Sequence, residues 1–295
     1  MFKMKNELNR RTFLQTTTLA GAGMAIPFTS SAKEAPNIIS RRSKSTINIG
    51  VIGVGLRGSY HAQLAMERDD CELVAICDVD KKQLARGVKT CAGQGLKVDT
   101  YHDFREMVAR DDIDIVSVVT PPHWHALQAV AAAEAGKDVW CEKPMTRTIG
   151  EGRKVIEACK RNGTIFRINT WFRLGGSFYG SGVTAHDIKK VVRSGLLGGP
   201  LTVTIGKHQG FNWKIDMWSG KTNLPPMDIP KELDYDFWLG PAPKKPYHSH
   251  RVHASFRGYW DYDGGGLGDM GMHYLDPVQY FLDKDHTAPD RKSVV

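Results

Sequence analysis

The residues of this 295-residue chain that best suit chemistry are three glycines at 53, 55 and 58, an aspartate at 78, the triplet Glu142-Lys143-Pro144, and the pair Asp269 and His273. The glycines follow the apolar run Ile47-Asn48-Ile49-Gly50-Val51-Ile52 as Gly53-Val54-Gly55-Leu56-Arg57-Gly58, and helix-forming sequence comes next. Strand, G-x-G-x-x-G and helix in that order build a dinucleotide site. Gly53 permits a tight turn, Gly55 lets the backbone approach a pyrophosphate, and Gly58 lets the helix pack close to the strand, whose neighbouring helix N-terminus then offers unpaired N–H groups to the phosphates. Asp78 stands twenty residues past Gly58, at the end of a second apolar run. There it can accept hydrogen bonds from the adenosine ribose, and its charge repels a 2′-phosphate. NAD is therefore expected ahead of NADP, although Lys81 or Lys82 would offset part of the repulsion.

Glu142-Lys143-Pro144 closes another strand-like run at the carboxyl edge of the same sheet, where open α/β folds place their ligands. An ammonium there can hydrogen-bond an alcohol or ketone oxygen, and desolvation would suit it to proton relay; a solvated surface lysine is the plainer alternative. Asp269 and His273 are four apart, so on a helix both project from one face toward a common hydroxyl. A neutral imidazole suits removal of the hydroxyl proton, with the carboxylate orienting substrate or ring. Otherwise Asp269 caps a helix and His273 is a satisfied core histidine. His125 is expected to start a helix on the nicotinamide side, or to be an ordinary surface histidine at that position. His248, His250 and His253 lie in a Pro/Tyr-rich loop without the Cys or carboxylate pattern of a zinc site, so no metal is expected.

The elements that must hold these groups follow from apolar periodicity. Strands are expected at Ile47–Gly53, Glu72–Asp78, Ile113–Thr120, Asp138–Cys141 and Thr164–Ile168, with helices at Ser59–Glu67, Lys81–Lys89, His125–Ala135 and Ile149–Lys160. Continuous apolar strands alternating with helices mean right-handed βαβ units and a doubly wound parallel sheet. The pattern changes after Asn169. One helix is expected at Val183–Ser194, then a strand-like alternation at Leu201–Ile205 and a helix at Met270–Leu282. Residues 210 to 263 are loop-like and rich in Pro, Gly and aromatics, including Trp213, Trp218, Trp238 and Trp260, which suit sugar stacking or core filling. The division expected is 1–45 as signal and linker, 46–168 as a nucleotide-binding domain, and 169–295 as an α+β open-sheet substrate domain that looks C-terminally truncated.

Composition is that of a globular protein, with 41% hydrophobic and 24% charged residues and no apolar run long enough to span a bilayer. The formal charge of +8 is concentrated at the start, where residues 1–45 carry eight Lys/Arg against two Glu. A nearly balanced remainder gives no reason to expect a nucleic acid partner. The leader reads as a targeting segment: Arg10-Arg11-Thr12-Phe13-Leu14 resembles a twin-arginine signal, the apolar stretch runs to Phe28, and cleavage fits after Ala32. Export to the periplasm through that machinery is expected, without a lipid or membrane anchor. Five cysteines with no CxxC pair are read as unpaired thiols.

Taken together, Gly53 to Gly58, Cys77-Asp78, Thr120-Pro121-Pro122 with His125, Glu142-Lys143-Pro144, and Gly264 to His273 resemble the Gfo/Idh/MocA oxidoreductases, which act mainly on sugars and cyclitols. The resemblance implies a Rossmann domain plus an open antiparallel-sheet domain with the site between them. It also implies cofactor contacts at Gly53, Gly55, Leu56, Arg57, Gly58, Asp78, Thr120, Pro121, His125, Glu142 and Lys143, and substrate contacts at Lys143, Arg173, Asp269 and His273. Lys143, Asp269 and His273 would then be the catalytic set, and pairing of chains through the second domain is open. An exported enzyme would have to keep its NAD bound and regenerate it in place, by ping-pong between two sugars or by a redox-neutral glycosidase cycle. A non-catalytic sugar-binding relative is the remaining alternative.

Overall fold

The computed structural model describes residues 46–174, 177, 182–205 and 219–287. The twin-arginine-like leader, Trp213 and Trp218 lie outside the described residues. Residues 47–168 build six parallel strands: β1 Ile47–Ile52, β2 Cys71–Cys77, β3 Asp99–Tyr101, β4 Ile115–Val118, β5 Asp138–Cys141 and β6 Phe166–Ile168. Their order is β3-β2-β1-β4-β5-β6, so direction of winding reverses between β1 and β4. A doubly wound sheet opens a crevice at that switch point, beyond the carboxyl ends of its strands.

Helices α1 Leu56–Met66, α2 Lys81–Gly93, α3 Phe104–Val108, α4 Pro122–Glu134 and α5 Ile149–Asn162 cover the sheet. Two apolar clusters result, one under α4 and α5 around Val116, Val118 and Ala129, the other around Val51, Leu73 and Ile76. The expected strands at 47–53, 72–78, 113–120, 138–141 and 164–168 all find their counterparts. β3 and α3 were not expected. β3 is a three-residue edge strand, Asp99-Thr100-Tyr101, with no apolar run to betray it; pairing with Ala75, Ile76 and Cys77 creates it. α4 starts at Pro122 rather than at His125, because proline's fixed φ and missing N–H suit the first helical position.

The first turn depends on close backbone approach. Gly53 has φ +84°, and a Cβ on Gly58 would sit 1.7 Å from the Gly53 carbonyl oxygen. The atom in the way is backbone and cannot swing aside. Gly58→Ala should therefore lower stability by about 1–3 kcal/mol, the range for overpacking a tight contact; a urea midpoint equal to that of the unmodified protein would contradict it.

After Asn169 the described chain is helical and irregular. Helix α6 Ala185–Arg193 starts at a Thr184/Asp187 capping box, α7 Tyr235–Leu239 is short, and a π-helical turn Leu267–Gly271 runs into α8 Met272–Phe281. The strand expected at Leu201–Ile205 carries no ladder, and its Leu201, Val203 and Ile205 are exposed; no second sheet forms among the described residues. An alternating pattern needs a partner strand before it becomes a strand. The aromatic-rich stretch instead builds its own small core of Leu233, Tyr235, Trp238, Tyr247, Phe256 and Tyr262. That core docks on α4: the Trp124 indole and the His123 ring both reach the Trp238 carbonyl, at 3.0 and 2.9 Å. It roofs the crevice. All five cysteines are unpaired, and no described helix is long and apolar enough to cross a membrane.

Candidate active site

One cavity of about 610 Å³ lies over the carboxyl ends of the strands, between the sheet and the aromatic roof. At its nucleotide end are Gly53, Gly55, Leu56, Arg57 and Asp78; at the other are Lys143, Asp269 and His273, with Thr120, Pro121 and Glu142 along the wall. The residues fit a dinucleotide. A Cβ on Gly55 would meet nothing within 4 Å, so the glycine borders open space sized for close approach of a phosphate. Asp78 accepts from the Val54 N–H and the Asp80 N–H, both at 2.9 Å, which fixes its carboxylate at the end of β2. Burial raises it to about 6, against the pull of those amides, so it is largely ionised at pH 7.

The triplet at the end of β5 divides its work. Glu142 is buried and turned inward: its carboxylate accepts from Arg57 Nε at 2.6 Å, His61 Nε2 at 3.0 Å and Asn169 Nδ2 at 2.7 Å. Burial alone would push its pKa up, but the His61 hydrogen bond and the Arg57 charge outweigh it and hold the group well below the usual carboxylate range. Glu142 thus anchors the turn, and Lys143 projects into the cavity. There Lys143 Nζ pairs with Asp269 Oδ1, and Arg257 Nε binds the other oxygen of Asp269 at 3.1 Å. Asp269 sits in the π-helical turn and His273 in the first turn of α8, and both reach the cavity as the four-residue spacing requires. Burial first, then the Lys143 charge, pulls His273 down to about 4. Its imidazole is neutral at pH 7.

Two expected site residues are placed elsewhere. His125 is 0% exposed and forms no part of the cavity wall. Its ring nitrogens lie 2.8 Å from the Pro144 carbonyl and 2.7 Å from the Thr120 carbonyl, so it ties two site turns together from behind. One turn into α4 the side chain faces the core, which a helix starting at His125 would not have implied. Arg173 binds Asp276 at 2.7 Å and Asp285 at 2.8 Å, linking the end of the sheet to α8 away from the cavity. Of the three histidines at 248, 250 and 253, His248 caps the His250 N–H, His250 bonds Tyr259, and His253 lies 3.3 Å from Asp80; the described residues contain no group that could hold a metal.

Sequence comparison matches this geometry to known proteins. The profile described as oxidoreductase family, NAD-binding Rossmann fold, matches residues 47–170, and that family's C-terminal alpha/beta domain matches residues 181–294. The chain belongs to the Gfo/Idh/MocA oxidoreductase family. A glycosyl hydrolase family 109 protein of Shewanella pealeana is 32% identical over 171 residues, 52% of this chain and 38% of its own. An alpha-N-acetylgalactosaminidase of Shewanella oneidensis is 35% identical over 147 residues, 48% of this chain and 32% of its own. The chain spans less than two-fifths of the length of these curated relatives. Among solved structures, the WlbA dehydrogenase from Bordetella pertussis in complex with NADH and UDP-GlcNAcA is similar in fold, with TM-score 0.55 and 23% identity over 80% of this chain and 58% of that one.

Sequence reasoning missed several residues that shape this Gfo/Idh/MocA site. Arg257 holds Asp269, His61 and Asn169 hold Glu142, and Ser117 meets the other His61 nitrogen at 2.9 Å. None belongs to a local motif: the partners are 12 residues apart for Arg257 and Asp269 and 27 or more for the others, and only the folded chain brings them together. Asp263, buried in the cavity wall, was also passed over, although it directly precedes the Gly264-Gly265-Gly266 run.

Proposed function

We propose that this chain moves a hydride between a nicotinamide dinucleotide, NAD ahead of NADP, and a secondary alcohol or ketone carbon of a sugar or cyclitol. The observation that carries the reading is the single cavity joining Gly55 and Asp78 to the Lys143, Asp269 and His273 cluster. When bound, the nicotinamide supplies a hydride acceptor or donor. Gly53, Gly55, Leu56, Arg57 and Asp78 bind the nucleotide, with Thr120 and Pro121 along its path. Lys143, steadied by Asp269, donates a hydrogen bond to the alcohol or ketone oxygen. In the oxidative direction the neutral His273 takes the hydroxyl proton, and it returns that proton in the reverse direction. Trp124, Phe237 and Trp238 wall the cavity and exclude water. The leader containing Arg10-Arg11 supports export, which would require the NAD to travel and stay with the protein.

The printed names of the two Shewanella relatives favour a second reading of the same site. There, oxidation of a sugar hydroxyl acidifies the neighbouring C–H, the glycosidic oxygen leaves by elimination, water adds, and the ketone is reduced again, with no net redox change. Two measurements on the purified protein test both. Denaturation and mass spectrometry should release about one NAD per chain, and mostly NADP would overturn the role given to Asp78. With p-nitrophenyl N-acetyl-α-galactosaminide, aglycone release without accumulation of NADH, read by its fluorescence, selects the glycosidase reading; NADH accumulation with a free polyol selects simple dehydrogenation. Neither signal, in protein that carries NAD, would sink both.

A further inference from the structure

Asp263 is 1% exposed and lines the cavity beside the Lys143 and Asp269 pair. The backbone fixes it on both sides: its N–H donates to the Tyr259 carbonyl at 3.1 Å, and its Oδ1 accepts the Gly264 N–H at 2.7 Å. The other carboxylate oxygen has no hydrogen-bond partner among the described residues. That oxygen is not one of the buried atoms left without a partner; it opens onto the cavity, where a ligand hydroxyl can reach it. The preceding Tyr262 is wholly buried against Trp238 and His123, so the aspartate cannot turn out to solvent.

From this placement we infer that Asp263 is a further substrate-binding residue, whose free oxygen accepts a hydrogen bond from a hydroxyl of a polyol ligand next to the carbon that faces Lys143. The inference rests on the hydride-transfer reading above and adds a specificity contact to it. An ionised acceptor set between the cations Lys143 and Arg257 favours a neutral O–H donor; an anionic group would meet both Asp263 and Asp269. Burial and the nearby Asp269 charge raise Asp263 to about 6, while Gly264, Arg257 and Lys143 pull the other way. The groups facing it are thus Asp269, Arg257 and Lys143, with His273 across the cavity. Since the carboxylate is the better acceptor, polyol binding should be strongest above pH 6 and weaken as the pH falls below it.

Calorimetric titration of the NAD-loaded full chain with scyllo-inositol and with N-acetylgalactosamine, from pH 5 to 8, tests this. Asp263→Asn keeps an oxygen for the Gly264 N–H and so preserves the local backbone, and its melting temperature and NAD content report whether the fold survives. Its affinity for whichever polyol binds the unmodified protein should fall about 10-fold or more at pH 7.5, as for a lost hydrogen bond to a charged acceptor, and should not vary between pH 5 and 7.5. Asp263→Glu should recover part of the pH dependence. If Asp263→Asn binds within twofold of the unmodified protein with the same pH profile, the assignment of Asp263 is wrong while the sugar reading stands. If the unmodified protein binds neither polyol, the sugar reading itself fails and takes this assignment with it.

Discussion

Replacing Lys143 by Ala is expected to lower kcat/KM by about 10²- to 10³-fold, the range for removing one preorganised hydrogen-bond donor to the reacting oxygen, with the NAD content of the purified protein unchanged. Lys143 stands at the end of β5 with its ammonium on Asp269, facing the part of the cavity away from Gly55 and Asp78. Its loss removes the donor to the reacting oxygen and leaves the phosphate-facing turn intact. Asp269 stays neutralised by Arg257, so the deletion does not strand a bare buried charge. A second effect follows in the pH profile. After burial, the Lys143 charge is the largest influence that lowers His273, so removing it lets the imidazole pKa rise. The acidic limb of kcat/KM, which requires neutral His273, should therefore move to higher pH in Lys143→Ala. Activity within threefold of the unmodified enzyme would remove Lys143 from the reacting oxygen, and an unmoved acidic limb would remove His273 from the proton path.

Glu142→Ala should cost about 3–5 kcal/mol of stability, the range for stripping one partner from a buried ion pair. Three donors converge on its carboxylate from α1 and from the residue after β6, so the change would leave His61, Asn169 and part of Arg57 without an acceptor beneath the site. Urea unfolding followed by circular dichroism checks the size of the effect. The pH dependence gives the sign independently. The folded-state pKa of Glu142 is depressed, because the His61 hydrogen bond and the Arg57 charge overcome burial, so its contribution is present in full above the unfolded value of about 4.5. It is lost as the pH falls from there toward the lower folded value. The stability gap between the unmodified protein and Glu142→Ala should hence be constant near neutrality and narrow in acid. A gap that widens in acid would mean that Glu142 is not held as an anion.

Both substitutions fall in one triplet that a reader of the sequence would single out, yet their roles diverge for reasons the triplet does not contain. Both residues follow the end of β5 at Cys141 and both border the cavity, but their side chains meet different partners. The Glu142 carboxylate is received by Arg57, His61 and Asn169 beneath the site, and the Lys143 ammonium by Asp269 within it. His125 makes the same point in reverse: its type and its place near Thr120-Pro121-Pro122 suggest the ligand, but the helix begins three residues earlier and rotates the ring into the core.

By itself the sequence determined what is local. Continuous β-branched runs between amphipathic stretches dictated a parallel sheet covered on both faces, because such strands can be satisfied only by burial on both sides. The spacing of Gly53, Gly55 and Gly58 dictated the turn at the end of β1, since a Cβ at Gly58 would collide with backbone. The four-residue interval between Asp269 and His273 placed them on one side of a helical segment. Tertiary structure alone decided what depends on distant partners. It paired the polar edge strand β3, left Leu201–Ile205 without a ladder, and folded the aromatic-rich stretch into a roof over the crevice. It turned Arg173 toward Asp276, closed Arg257 on Asp269, and set Asp263 in the wall with one oxygen unclaimed. Local periodicity reports which face of an element must be dry, whereas the partner a charged or polar side chain meets is fixed by contacts between residues far apart in the chain.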